Sequence, residues 1–104
     1  MARARAWDGG GMKINYRKEA RGRDCQIRSR VCNHNPETSV LAHINGAGMG
    51  MKHNDLLAAI SCSSCHAWVD YGFASDGATR EERDLVHLRG MFRTLQVWIS
   101  EGYL

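Results

Sequence analysis

Residues 61–71 read SCSSCHAWVDY, and we expect this stretch to decide how the 104-residue chain folds. It places Cys62 and Cys65 in a C-x2-C spacing, and the residues that follow predict a helix entered through a turn rich in Ser and Cys. A C-x2-C turn sets two sulfurs on one side of a metal ion. The stretch therefore predicts half of a tetrahedral zinc site at the start of a helix.

The other two cysteines, Cys25 and Cys32, lie upstream in a C-x6-C spacing, within a predicted strand that leads into a turn. In a cytosolic protein such a set favours metal binding over disulfides, and a core this small often needs a metal staple. We expect the four cysteines to hold Zn²⁺, with His34 able to replace one of them. The alternatives are buried free thiols or a redox C-x2-C, although no βαβ pattern surrounds the motif.

Two histidines lie where a second site is expected. His66 directly follows Cys65, and one residue along a helix is a rotation of about 100°, so His66 points away from the zinc. Asp70 lies four residues later on the face of His66, where it can orient His66 or join it on a second metal. His43 ends a predicted strand over residues 38–44, TSVLAHI. A zinc that pins strand to helix would bring His43 and His66 together.

The order C-x6-C, AHI, an Asn/Asp-Leu segment and C-x2-C-H resembles the HNH nuclease family. The longer motifs GRDCQIR, NPETSVLAHI, DLLAAISCSSCH and LQVWISEG resemble more closely the small prophage-encoded nucleases of the YbcO type, from about residue 16 to the C-terminus. The resemblance implies an α+β fold with a small ββα-metal (HNH) core around a catalytic divalent cation. It also implies a four-cysteine zinc site and a packed C-terminal amphipathic helix.

The same resemblance implies roles for individual residues. His43 matches the general base that activates water, and His66 matches a ligand of the catalytic metal, with Mg²⁺ or Mn²⁺ favoured over Zn²⁺ or Ni²⁺. The residue that orients the base is Asn54 or Asp55. Many family members carry a metal-binding Asp immediately before the first histidine, where this chain has Ala42. The metal site would then be completed by one of three side chains: Asp55, Asp70 or His53.

Positive charge is concentrated near the N-terminus. Residues 1–30 contain nine Lys/Arg and three Asp/Glu, and residues 31–104 contain five and eight, so the net charge of +3 divides into +6 and −3. We expect residues 1–12 to form a flexible basic extension and residues 13–104 an HNH-like nuclease domain. A basic segment attracts phosphates, and the alternative is a solvated, frayed terminus. The side chains expected to hold a nucleic-acid backbone are Arg17, Lys18, Arg21, Arg23, Arg28 and Arg30.

The remaining elements follow from periodicity and turn chemistry. Residues 13–23 predict a short helix ending near Gly22, residues 55–60 a helix or a strand, and residues 72–77 a loop. Thr79 and Glu82 match a capping box, which predicts the start of an amphipathic helix that ends near Gly102. The apolar stripe that this helix is expected to bury is Leu85, Leu88, Phe92, Leu95 and Ile99. His34 and His87 are expected at the surface.

The composition limits the function classes. The longest apolar run, residues 56–60, is far too short to cross a bilayer, and no signal-peptide pattern opens the chain. We therefore expect a cytoplasmic protein without a membrane partner. The resemblance implies a bacterial host and hydrolysis of nucleic-acid phosphodiester bonds, in DNA rather than RNA. The alternative, which Ala42 favours, is a non-catalytic zinc-stapled module that binds nucleic acid or protein. The choice between monomer and dimer stays open.

Overall fold

Two short strands and four helices make up the part of the chain that the computed structural model describes, residues 14–44 and 54–104. Strand β1 spans Val40–His43 and strand β2 spans Ala58–Ser61. The helices are α1 (Tyr16–Ala20), α2 (Ser63–Ala67), α3 (Phe73–Ser75) and α4 (Arg80–Ser100). A 3-10 turn at Pro36–Thr38 precedes β1, and a π-helical turn at Trp68–Gly72 joins α2 to α3. The predicted α+β class is confirmed at this level.

The strands pair antiparallel, with His43 opposite Ala58. Because alternate strand residues point to opposite faces, each face of the hairpin has its own neighbours. Ile60 belongs to a cluster with Trp98, whereas Ala59 belongs to a second cluster with Cys62. All four residues of β2 are buried, since both faces are covered. Among the described residues, no helix has the length and apolar character that crossing a membrane requires.

Helix α4 and the loop after Cys25 cover the edge of β2 that does not face β1. The backbone N–H of Ile60 donates to Thr94 Oγ1 at 2.9 Å, and its carbonyl accepts from the Gln26 N–H at 2.7 Å. His87 Nε2 donates to the Ala42 carbonyl at 2.8 Å. The two bonds of Ile60 satisfy backbone groups that an open edge would leave for water or another chain, and the bond of His87 ties α4 to β1. They also fix how α4 lies across the hairpin.

The predicted helix ends agree with the structure. Thr79 Oγ1 accepts from the Glu82 N–H at 3.1 Å, and Glu82 Oε1 accepts from the Thr79 N–H at 2.7 Å, so the capping box is confirmed. Gly22 and Gly102 both adopt φ near +79°, the left-handed conformation that closes a helix. Helix α1 is shorter than the predicted residues 13–23, because Asn15 caps it at its start.

The predicted buried face of α4 is wrong. Four stripe residues are exposed, with Phe92 at 64% and Ile99 at 58% of full exposure. The residues that α4 buries are instead His87, Gly90, Met91, Thr94 and Trp98. The physical reason is close approach: an ideal Cβ on Gly90 would lie 3.0 Å from Ile27 Cα, so only glycine lets the helix reach the loop. Polar side chains then bond to the strands from the buried face.

Three further expectations need correction. Residues 25–32 form bends and turns without a strand, because the chain curves to gather its cysteines. The predicted loop at residues 72–77 is helical as far as Ser75, since the π-helical turn carries the helix through Gly72. His87 is buried at 1% exposure and bonded to the hairpin, whereas His34 is exposed as predicted. The open choice for residues 55–60 is resolved as a turn followed by β2.

Candidate active site and metal centre

Four cysteine sulfurs converge between the loop of residues 25–32 and the start of α2. The Sγ atoms of Cys25, Cys32, Cys62 and Cys65 all lie within 4.8 Å of one another. Cys32 Sγ is 3.8 Å from Cys62 Sγ. A tetrahedron of four thiolates with Zn–S bonds of ~2.3 Å has an edge of ~3.8 Å. The four cysteines are therefore positioned to hold a metal ion, and the donor set and spacing are compatible with zinc.

Hydrogen-bond donors surround two of the sulfurs, those of Cys62 and Cys65. The Cys65 N–H donates to Cys62 Sγ at 3.3 Å, the Asn33 N–H donates to the same sulfur at 3.5 Å, and Ser29 Oγ lies 3.0 Å from Cys65 Sγ. A hydrogen bond between the Cys25 and Cys65 thiols lowers the pKa of Cys25 and raises that of Cys65. Sequence analysis missed Ser29, because no spacing rule marks a serine that reaches a sulfur 36 residues away.

His34 is a neighbour of this cluster and not one of its four donors. Its Nδ1 lies 3.7 Å from Cys32 Sγ, and its backbone has φ +55° in the turn that follows Cys32. The group of candidate ligand atoms contains the four sulfurs alone. The predicted substitution of His34 for a cysteine is therefore unnecessary in this geometry.

A second polar cluster lies where β1 ends. His43 Nε2 is 2.7 Å from Asp55 Oδ1, and Arg17 Nε lies 3.2 Å from the same oxygen. Burial alone would raise the pKa of Asp55, but the hydrogen bonds from His43 and Arg17 outweigh it and hold that pKa below its ordinary value. Asp55 therefore stays ionised beside the imidazole near neutral pH. The hairpin register explains the proximity, since His43 is opposite Ala58, three residues after Asp55.

Asn54 performs a local structural task instead. Its Oδ1 accepts from the Leu56 N–H at 2.8 Å, and its carbonyl accepts from the Leu57 N–H at 2.8 Å, which closes the turn into β2. Two residues were predicted as candidates to orient the base. Asp55 contacts His43, whereas the side chain of Asn54 is bonded within the turn. Arg17 was predicted to contact nucleic acid, and the structure places it on Asp55.

A third group of polar side chains, the pair of His66 and Asp70, lies just after the C-x2-C motif. His66 Nε2 is 3.2 Å from Asp70 Oδ2, and both side chains are partly exposed. Asp70 belongs to the π-helical turn, an element that often occurs at functional sites. The pair offers one imidazole nitrogen and one carboxylate. Outside the cysteine cluster, residues 14–44 and 54–104 contain no group of three or more His, Cys, Asp or Glu side chains that could share an ion.

Other expectations for the site have different outcomes. Ala42 is fully buried, and its carbonyl bonds to His87. Two further expectations, those for His53 and for the extension of residues 1–12, concern residues outside the described part of the chain. Two predicted phosphate contacts are engaged elsewhere, because Arg23 pairs with Glu101 and Arg30 pairs with Asp76.

The chain is similar to known proteins over most of its length. The family model described as "Putative nuclease YbcO" matches residues 14–103. A curated protein of Escherichia coli (strain K12), "Putative nuclease YbcO", is 46% identical over 101 residues, which cover 86% of this chain and 96% of the relative. "Putative nuclease ybcO" of Enterobacteria phage 82 gives the same identity and coverage.

A solved structure is similar as well. It is described as "Structure of a putative bacteriophage protein from Escherichia coli str. K-12 substr. MG1655". The match has a TM-score of 0.68 and 44% sequence identity, and it covers 85% of this chain and 100% of the other.

Proposed function

This chain belongs to the YbcO family, and from that premise we propose that it is a metal-dependent endonuclease of the HNH type, acting on DNA in the cytoplasm of a bacterial host. The observation that carries the proposal is the 2.7 Å contact between His43 and Asp55 at the end of β1. The order of two strands followed by a helix supports it, since β1 and α2 carry His43 and His66 in the sequence expected for a ββα-metal core.

In this proposal His43 is the general base. An ionised Asp55 accepts a hydrogen bond from Nε2–H, which places the lone pair of the neutral imidazole on Nδ1. A water molecule gives its proton to Nδ1 while its oxygen forms a bond to phosphorus. The P–O3′ bond then breaks, and the 3′ oxygen leaves with the electron pair and is protonated by solvent. Asp55 holds the imidazole in this tautomer and stabilises the imidazolium that forms.

His66 and Asp70 are the proposed residues for the catalytic cation. They offer two donor atoms, and magnesium sites commonly take one or two carboxylates, with substrate phosphate and water completing the shell. When bound, the cation supplies charge stabilisation to the phosphate and the leaving oxygen. The four-cysteine cluster has a different proposed task, which is to hold a structural zinc that joins the loop of residues 25–32 to α2.

The test is cleavage of plasmid and single-stranded DNA with Mg²⁺ or Mn²⁺, comparing the wild type with His43→Ala. We expect His43→Ala to lose at least about 10²-fold in rate, the lower end of what a positioned base contributes. His34→Asn is the matched control, because asparagine tolerates the left-handed backbone at this position and His34 is exposed. The control should cut at the wild-type rate. Unchanged cutting by His43→Ala would contradict the assignment of the base.

The second candidate is a non-catalytic zinc-stapled module that binds nucleic acid or protein. One observation favours it: outside the cysteine cluster, no three His, Cys, Asp or Glu side chains of the described residues are placed to share an ion, and Ala42 stands where many HNH enzymes carry an acidic ligand. Absence of cleavage with every divalent cation, together with retained DNA binding by wild type, would favour this module over the nuclease.

A further inference from the structure

A depression of about 240 Å³ lies between the loop after Cys25 and helix α4, and none of the residues proposed for catalysis lines it. Two of its lining residues, Ile27 and Val86, are apolar. The other three are arginines: Arg28 from the loop, and Arg89 and Arg93 from consecutive turns of α4. Three arginines therefore line one concave surface.

Backbone contacts hold this arrangement in place. The missing side chain of Gly90 lets α4 approach the loop so closely that a Cβ would lie 3.1 Å from the Gln26 carbonyl oxygen. Arg93 then donates from Nε to the Gln26 carbonyl at 2.8 Å and from Nη2 to the Ile27 carbonyl at 3.1 Å. Arg28 adopts φ +55°, an uncommon backbone conformation for a side chain of this size. Arg28 and Arg93 are thus positioned by the loop and its carbonyl groups and not by carboxylate partners.

The cluster has no acidic partner within the described part of the chain. None of the three arginines forms a salt bridge there, whereas the paired arginines are Arg17, Arg23, Arg30 and Arg83. Burial and the nearby charges of Arg28 and Arg89 hold the pKa of Arg93 below its ordinary value, with a partial offset from Cys25. Like charges kept this close are unfavourable unless an anion joins them. The cluster therefore has the electrostatic character of an anion-binding site.

We propose that Arg28, Arg89 and Arg93 bind a backbone phosphate of the nucleic acid. The proposal rests on the proposed nuclease function, and it adds a contact surface from α4 that the N-terminal charge distribution does not indicate. Guanidinium forks match phosphate oxygens in a bidentate geometry, which favours arginine over lysine in such sites. Phosphate contacts of this kind fix the position of the nucleic acid and carry no sequence information.

The test measures binding without cleavage. In a His43→Ala background, the affinity for a fluorescein-labelled 20-base-pair DNA duplex is followed by anisotropy across a salt series. Arg89→Ala is the main variant, because no hydrogen bond or ion pair is lost in the described structure. We expect a loss of about fivefold to tenfold in affinity, and a fall of about one in the slope of log affinity against log salt. Arg93→Lys, which keeps the charge but loses the fork, should give a smaller loss.

The matched control is Arg80→Ala, since Arg80 is an exposed arginine of the same helix that does not line the depression. It should change neither affinity nor slope. Wild-type affinity and slope in Arg89→Ala, or no binding of the duplex by the His43→Ala parent at low salt, would overturn the proposal. So would a loss of zinc content or thermal stability in Arg89→Ala that accounts for its weaker binding, because the cluster would then only balance the charge of the thiolates.

The nuclease proposal fails separately. If the wild type cuts no DNA but Arg89→Ala lowers both the affinity and the salt slope, the phosphate site is supported and the nuclease chemistry is refuted. If the wild type cuts DNA but Arg89→Ala binds the duplex as well as its parent, the nuclease chemistry is supported and the phosphate site is refuted.

Discussion

The carboxylate of Asp55 accepts hydrogen bonds from two side chains, His43 at 2.7 Å and Arg17 at 3.2 Å. The sequence alone left Asn54 and Asp55 as equal candidates for this position, because adjacent residues differ only in where the turn points them. The side chain of Asn54 accepts a hydrogen bond from the Leu56 N–H, whereas the carboxylate of Asp55 contacts His43. A turn of this kind cannot be oriented from residue types alone.

Asp55→Asn tests this reading of the pair. The amide can still accept a hydrogen bond, but it cannot stabilise a positively charged imidazole, so we expect the rate of DNA cleavage to fall roughly 10²-fold. Zinc content and the thermal unfolding midpoint should remain close to those of wild type. Asn54→Ala is the neighbouring control and should retain most of the activity. A larger loss in Asn54→Ala than in Asp55→Asn would show that the orienting residue is Asn54.

Asp76 provides a pH-dependent prediction at the same scale. Arg30 and the Trp68 indole donate hydrogen bonds to its carboxylate and lower its pKa from 3.8 to about 2. A depressed folded-state pKa contributes stability that is present above the unfolded value and is lost as pH falls through the folded value. The stability difference between wild type and Asp76→Asn should therefore be constant above about pH 5 and fall to roughly half at pH 3.

Urea unfolding of both proteins at pH 6, 4 and 3 measures this difference. Release of the proposed zinc in acid would affect both proteins alike, so the informative quantity is the difference between their stabilities. A difference that does not change between pH 6 and pH 3 would show that the carboxylate of Asp76 makes no ionised contact that matters to folding.

Helix α4 shows what periodicity determines and what it leaves out. The capping box at Thr79 and the end near Gly102 were predictable, because both depend on local hydrogen bonds and backbone conformation. The buried face was not predictable from hydrophobicity, since Gly90 and Thr94 face the core through close approach and a bond to Ile60. The most apolar stripe of a helix is its buried face only when the elements packed against the helix leave room for large side chains.

Gly90→Ala separates helix propensity from packing. Alanine gains about 1 kcal/mol in a helix interior, but three backbone atoms of Gln26 and Ile27 lie within 3.0–3.2 Å of the new Cβ. Overpacking of this kind costs about 1–3 kcal/mol, so we expect a net loss of stability in chemical denaturation. Gly72→Ala is the control, because its nearest contact is an ordinary 3.5 Å and it should be neutral or stabilising. Stabilisation by both substitutions would contradict the close approach.

A second comparison tests the face of α4 directly. Met91 is 5% exposed and Phe92 is 64% exposed, although hydrophobic periodicity places Phe92 in the core. Met91→Ala should lower the free energy of unfolding by about 2–5 kcal/mol, whereas Phe92→Ala should change it by about 0.5 kcal/mol or less. Equal losses, measured by chemical denaturation of each variant, would mean that Phe92 is buried in solution.

At the scale of the whole molecule, the cysteine cluster joins segments that are distant in the sequence. The spacing predicted that the four cysteines converge, although it left His34 open as a replacement for one of them, and the structure brings together the four sulfurs alone. The course of residues 25–32 could not be predicted, since it follows from long-range contacts such as the Gln26 bond to Ile60 and not from local propensity. The same holds for the arginines of α4, although Arg89 and Arg93, one turn apart with no acid between them, were a signal.

We propose that the protein binds two metals with separate tasks, one zinc on the cysteines for structure and one exchangeable cation for DNA cleavage. The direct measurement is metal content and plasmid cleavage by the wild-type protein, before and after dialysis against citrate, a weaker chelator than four thiolates. We predict that one zinc per chain remains, that cleavage is lost, and that Mg²⁺ or Mn²⁺ restores it. Retention of that zinc without cleavage under any added cation would contradict the account, as would cutting that continues after dialysis at an unchanged rate.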